Sequence, residues 1–229
     1  MSKKKILSLE LVVCMIAILS FSSLAWFTDV DKATNDFTIG GAGTDDPDDI
    51  FSVDVKENVD GEDEPVDEMD FEDVLPGDLH KKEAFIENTG SYDQYIRVVM
   101  TITDWKLIKD VTEIKMDAKF NDNWHIYDSG VYVDENGLLK PYANAKVNAD
   151  GALVVTMYLD KKLAAGEEVQ IMDSVKIIPE ATQADFADPA FEDGFQIVFD
   201  ADAAQTENIL STYGDTEWKN AMATFDALA

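Results

Sequence analysis

Cysteine is almost missing from this chain: Cys14 is the only one in 229 residues. It lies in an N-terminal apolar run that is expected to be removed. The processed chain would then hold neither disulfides nor thiolate metal ligands. Histidine is nearly as scarce, with only His80 and His125. Zinc peptidases commonly set two histidines on one helical face with a glutamate between them. His80, read as a loop residue, and His125, read as a strand-face residue, do not form that motif, although counting alone leaves a site of two histidines and a carboxylate open. No Gly-x-Ser-x-Gly elbow occurs. Gly40-Gly41-Ala42-Gly43 runs into Asp45-Asp46, whose charge would repel a phosphate. No catalytic residue, metal ligand or organic cofactor is assigned.

Positive charge is the next shortage. Lys and Arg number 18 against 47 Asp and Glu, for a net charge of −29. Such a surface repels nucleic acid and anionic lipid, which excludes both as partners. It keeps an exported protein soluble and attracts cations. Solvation and calcium binding are both readings of that charge. Asp29-Val30-Asp31 and Asp60-Gly61-Glu62-Asp63 are only fragments of the alternating calcium-loop template. Helical periodicity is weak, and the βαβ alternation a parallel sheet needs does not appear.

What is present starts at the N-terminus. Lys3, Lys4 and Lys5 precede an apolar run from Leu11 to Leu19, and Ser23-Leu24-Ala25 forms a small-x-small cleavage site. The run is short for a permanent span of about 30 Å of hydrocarbon. Cleavage between Ala25 and Trp26 is expected, with a retained N-terminal anchor as the alternative. Removing residues 1–25 leaves 204 of the 229 residues, enough for one all-β domain. The leader carries three lysines and Glu10, a sum of +2, so the remainder carries −31. Val13 ahead of Cys14, and the apolar run continuing past it, argue against lipidation. The mixed segment Trp218 to Ala229 predicts a product released from the cell or held at its surface by other proteins, meeting the membrane only during export.

Turn signals then punctuate β-patterned runs. Strands are expected at Ile50–Val55, Leu79–Glu87, Tyr92–Trp105, Ala152–Leu159, Val169–Ile178 and Phe195–Ala201. The strongest is Tyr92–Trp105, with Ile96, Val98, Met100 and Ile102 on the face expected to look into the core. Trp124–Tyr127 and Gly130–Val133 read as a hairpin around Asp128-Ser129. Turns fall at Leu75-Pro76-Gly77-Asp78, Asn88-Thr89-Gly90-Ser91, Asp134–Gly137, Asn148–Gly151 and Leu163–Gly166. Glu57 to Asp70 reads as an exposed acidic loop. Short helical stretches are expected at Thr182–Phe191, Thr206–Leu210 and Asp215–Leu228. The organisation that follows is a signal segment 1–25, an antiparallel β-sandwich over 26–210 with an acidic loop at about 56–73, and a helical tail over 211–229. Trp105, Trp124 and Trp218 are expected as core or rim aromatics, Tyr92 and Tyr95 as hairpin packing. Arg97 is expected to pair with a carboxylate.

The block Ala25-Trp26-Phe27-Thr28-Asp29 with Ala33-Thr34-Asn35-Asp36-Phe37-Thr38-Ile39-Gly40 resembles the N-terminus of TasA/camelysin-type exported proteins of Gram-positive bacteria. Further blocks fit in order: Leu75 to Asp78, Ile86 to Gly90 and Asp93 to Val98, then Leu163 to Glu167 with Met172 to Ile177, then Phe195 to Asn208. The resemblance implies processing by a SipW-type signal peptidase and an all-β, jelly-roll-like sandwich behind a signal helix. It also implies a fibre or biofilm-matrix subunit or accessory, with copies of itself or related matrix subunits as partners. Pro76, Gly77, Asn88, Gly90, Tyr95, Arg97, Gly166 and Gln205 would be structural positions of the motif. In such fibres an N-terminal segment completes the sheet of a neighbour. Here that donor strand would run from Trp26 to Ile39, with Trp26, Phe27, Phe37 and Ile39 as its apolar contacts. The alternative is that the segment folds back as its own first strand. Because camelysin is classed among metallopeptidases, the resemblance carries a secreted metalloendopeptidase as a rival. The acidic segment suggests a third reading, a calcium-responsive surface adhesin or binding module.

Overall fold

From Ile96 to Ile102 every second side chain is withdrawn from solvent. Ile96, Val98, Met100 and Ile102 are each fully buried, while Arg97, Val99 and Thr101 alternate with them toward the outside. Period-two burial of β-branched residues is what a strand with one solvated face requires. The computed structural model describes residues 28–33, 52–58, 76–182, 185, 195–206 and 215–228.

Among these residues the elements run in chain order as β1 (Thr28–Ala33), β2 (Val53–Asn58), β3 (Leu79–Asn88), β4 (Gln94–Ile102), α1 (Trp105–Ile108), β5 (Thr112–Met116), α2 (Phe120–Asn123), β6 (Trp124–Tyr127), β7 (Val131–Val133), β8 (Leu139–Pro141), β9 (Leu153–Leu159), β10 (Glu168–Ile177), β11 (Ile197–Gln205) and α3 (Glu217–Leu228). The pairings are antiparallel throughout. One sheet has the order β1-β11-β4-β9-β6, a second β2-β3-β10-β5, and β7 pairs with β8. The protein is therefore mainly antiparallel sheet with a few short helices. No helix among the described residues is long and apolar enough to cross a membrane.

Inward-facing residues of both large sheets form one hydrophobic cluster. Val53, Val55, Ala84 and Ile86 come from β2 and β3, Ile171 and Met172 from β10, and Met100, Leu153, Met157 and Phe199 from the other sheet. On β10 the register slips around Met172, so Ile171 and Met172 are both buried where strict alternation would expose one. Trp124 anchors this core, its indole N–H donating to the Gln170 carbonyl at 3.0 Å.

Several expectations change. The Trp124–Tyr127 and Gly130–Val133 segments are not a hairpin. β6 pairs with β9, placing His125 opposite Tyr158, and β7 pairs with β8, placing Tyr132 opposite Lys140. The reason lies in the connection between them. Asp128 and Gly130 both have positive φ, +45° and +70°, and Lys146 N–H bonds the Ser129 carbonyl, so the chain turns away before a β6–β7 ladder can form. The strand expected through Trp105 ends at Ile102, and Trp105 opens α1, buried in the core. The strand expected at Ile50–Val55 runs from Val53 to Asn58, which carries residues 56–58 of the expected loop into a sheet. His80 lies in β3 opposite Val175, in a strand and not a loop. Thr182–Phe191 and Thr206–Leu210 fall mostly outside the described residues.

Candidate functional site

β1 lies at an edge. Its six residues pair with β11 from Thr28 opposite Ala204 to Ala33 opposite Phe199, and β11 is its neighbour in the sheet order. On its other flank β11 pairs with β4 over nine residues. Ala201 and Ala203 of β11 are fully buried, and their small side chains suit the close approach of β11 to β2 in the opposing sheet. The chain's first described strand is thus attached to the strand beside it, which β4 holds independently. Trp26, Phe27, Phe37, Ile39 and the expected cleavage site after Ala25 lie outside the described residues.

The motif positions gather at two places. At the first, Asn88 closes β3 fully buried, and its amide is saturated. Nδ2 donates to the carbonyls of Tyr92 and Leu163, both at 2.8 Å, while Oδ1 accepts from Gly90 N–H at 2.9 Å and Gln94 Nε2 at 2.8 Å. Its backbone bonds Glu167 and Gly166. Gln94 also reaches the Ser52 carbonyl, at 3.2 Å, and exchanges backbone bonds with Leu163. Asn88 therefore ties together the chain near 90, 94, 163 and 166, and Gln94 extends the tie to Ser52. Gly166 supplies the positive φ of +72° at the turn that brings Glu167 back to Asn88. Pro76 and Gly77 form the separate turn into β3, where Gly77 N–H bonds the Ile177 carbonyl at 2.9 Å.

The second place is the outer face of the five-stranded sheet, under α3. Tyr95, Tyr158 and Ala204 are buried against Ala221 and Phe225, with Trp218 and Met222 at the margin. Burial, reinforced by the Glu217 carboxylate that its hydroxyl bonds, pushes the Tyr95 phenol up to about 12. Arg97 Nε donates to Asp202 Oδ2 at 2.7 Å, and its guanidinium lies 4.6 Å from the centre of the Phe225 ring. Trp218 stacks on His125 with ring centres 3.6 Å apart. Burial lowers the His125 pKa and Lys219 adds to this, against an opposing pull from Asp160. Gln205 pairs in register with Gln94 at the end of β11. Tyr92, expected to pack, is exposed.

One ionic pair stood outside the sequence reading. Glu57, assigned there to the acidic loop, is buried in β2, and Lys82 of β3 donates to it at 2.8 Å. Loss of solvent raises the Glu57 carboxyl to about 7 against the pull of Lys82, and the same loss lowers the Lys82 ammonium. The period-two placement of Lys82, Ala84 and Ile86 could have flagged Lys82 as inward-facing. For Arg97 the signal was Asp200-Ala201-Asp202-Ala203, which puts acids on one strand face.

His80 and His125 stand in different sheets. Among the described residues no group of three or more His, Cys, Asp or Glu is arranged to hold a metal ion. No known family model matches the chain, and no curated protein matches it significantly.

Proposed function

We propose that this chain is a secreted structural protein, a jelly-roll-like β-sandwich that serves as a fibre or matrix subunit or accessory and assembles by strand donation. The observation that carries the reading is the position of β1: next in sequence to the expected cut after Ala25, and, among the described residues, an edge strand paired with β11 alone. The likeness of the Ala25–Gly40 and Leu75–Val98 blocks to TasA/camelysin-type proteins supports it. The single core shared by both large sheets supports the sandwich.

The energetics are those of exchange. An unpaired edge leaves backbone donors and acceptors open to any strand that can meet them. Each ladder hydrogen bond contributes about 0.5–1.5 kcal/mol net. Moving β1 from its own β11 to the β11 of a neighbour breaks and remakes the same bonds, so the closed and linked states lie close in energy and concentration decides between them. Proteolytic removal of residues 1–25 frees the segment to move. A SipW-type peptidase would set the timing, and joining copies would need no disulfide.

The test compares the mature chain from Trp26 with a chain starting at Gly40, by electron microscopy and size-exclusion chromatography. Mature protein is expected to form linear assemblies. The shortened chain should stay monomeric and capture a synthetic peptide of residues 26–39. Equal assembly of both chains would remove strand donation.

A further inference from the structure

Beyond the Phe225 end of α3, the outer face of the five-stranded sheet holds a second feature that assembly does not use. In register, Arg97 of β4 faces Tyr158 of β9, and Val99 faces Thr156, which in turn faces Tyr127 of β6. Phe225 covers the Tyr158 end, its ring 6.3 Å from that of Tyr158. Short side chains at Val99, Val154 and Thr156 leave space between Tyr158 and the loops carrying Asp128, Ser129 and Lys146. The result is a hollow of about 350 Å³, at the lower end of the range for small-ligand sites.

The lining is built rather than accidental. Ser129 Oγ donates to the Tyr127 carbonyl and accepts from Thr156 N–H, both at 2.9 Å, which fixes the loop on the sheet. Tyr127 meets Tyr158 edge-on, centres 6.1 Å apart and planes at 73°, and its side chain is still substantially exposed. Gly130 has no alternative: a Cβ there would lie 2.5 Å from the Asn144 carbonyl oxygen, so only glycine lets the 142–146 segment close over the loop. That segment brings Tyr142, stacked on Tyr132 with ring centres 4.6 Å apart and both exposed, onto the same loop system.

Charge selects the ligand class. The two cations of the hollow are matched, Arg97 by Asp202 and Lys146 by Asp128. An anion would have to displace a carboxylate while approaching a chain of net charge −29. A cation would find both acids engaged. A hydroxyl, in contrast, donates and accepts together, so it can bridge Lys146 and Asp128 without separating them. That pair is well exposed, which leaves its remaining hydrogen-bonding capacity open to a ligand. The apolar faces of tyrosine rings suit the C–H faces of a sugar ring. We propose that the hollow is a binding site for a neutral, hydroxyl-rich glycan, with one or two sugar units seated between Tyr127 and Arg97 and the chain continuing toward Tyr132 and Tyr142.

The site needs no assembly, so it is tested on the full mature chain held below its assembly concentration. Saturation-transfer NMR and calorimetry would use neutral glucose-, galactose- and N-acetylglucosamine-based tetrasaccharides, with a galacturonate tetrasaccharide as the charged comparator. At least one neutral oligosaccharide should bind, with affinity changing less than about twofold between 50 and 500 mM salt, because no counterion-dependent pair forms. Tyr127→Ala and Lys146→Ala should each weaken it by roughly fivefold or more, and the exposed Lys146→Ala chain should keep its melting temperature. No binding by any neutral glycan overturns the proposal. So does tighter, salt-sensitive binding of the galacturonate, or neutral binding that both substitutions leave unchanged.

Discussion

Arg97 and Asp202 face one another across β4 and β11, and the guanidinium that bonds the carboxylate at 2.7 Å also lies against the Phe225 ring of α3. One side chain thus joins two strands and fastens a helix onto them. Arg97→Ala is expected to cost about 1–2 kcal/mol, from the lost cation–π contact and a partly buried ion pair. Arg97→Lys should recover only part of this, because an ammonium lacks the planar fork. Urea unfolding gives the magnitude. Hydrogen exchange should show faster opening of residues 217–228, while β4 stays protected.

Asn88→Ala removes an amide that makes four hydrogen bonds at a fully buried position. Buried groups left unsatisfied cost about 1–3 kcal/mol each, so a loss of at least about 3 kcal/mol is expected. Asn88→Asp keeps the acceptor and loses both donors, so it should be nearly as damaging. Equal stability of Asn88→Ala and wild type in urea titration would show that the tie is dispensable.

The Glu57–Lys82 pair predicts a pH dependence with a definite sign. The Glu57 carboxyl is raised from 4.5 to about 7 by burial. In that window the folded state binds more protons at Glu57 than the unfolded state does. Its contribution is therefore complete below about 4.5 and is lost as pH rises through about 7. Glu57→Gln should remove that slope between pH 4.5 and 7.5, measured as unfolding free energy in urea. Lys82→Met strands a buried carboxylate and should cost about 3–5 kcal/mol at pH 8, and less at pH 5, where Glu57 can take up a proton.

Two glycines with nearly the same backbone conformation should respond differently to alanine. Gly166 has φ +72° with open space where a Cβ would stand, whereas Gly130 has φ +70° with the Asn144 carbonyl oxygen 2.5 Å from that point. Gly166→Ala should cost only the left-handed conformation, about 1–2 kcal/mol. Gly130→Ala adds a backbone clash and should lower the melting temperature considerably more. Similar shifts in a thermal melt would mean that the 142–146 segment yields easily.

Much of the sheet was readable because its cause is local. The alternation from Ile96 to Ile102 named the buried face correctly, and the turns at Pro76-Gly77 and Leu163–Gly166 fall where proline and glycine set the dihedrals. Strand partners were less readable, since they are decided across long sequence distances. His125 faces Tyr158 rather than Tyr132, and no residue between Trp124 and Val133 records that. β5 (Thr112–Met116) escaped notice because five residues with a lysine and a glutamate give too short a pattern; it becomes a strand by pairing with β10. Glu57 looked like one more member of an acidic tract, and its burial depends on Lys82 in the next strand. The hollow near Tyr127 arises where β4, β6 and β9 meet the loops carrying Ser129 and Lys146, and leaves no trace in any one segment.

The wiring around Asn88 and Arg97 also sets when this protein can fold. Asn88 needs Leu163, 75 positions later, and Arg97 needs Asp202, 105 positions later. β10 separates β3 from β5, and β11 separates β1 from β4, so each large sheet waits for strands from the last third of the chain. Early segments emerging from a ribosome have little to close upon, and topologies dominated by distant pairing gain their structure slowly. A chain wired this way remains an open thread until its final strands arrive, which suits the export proposed above.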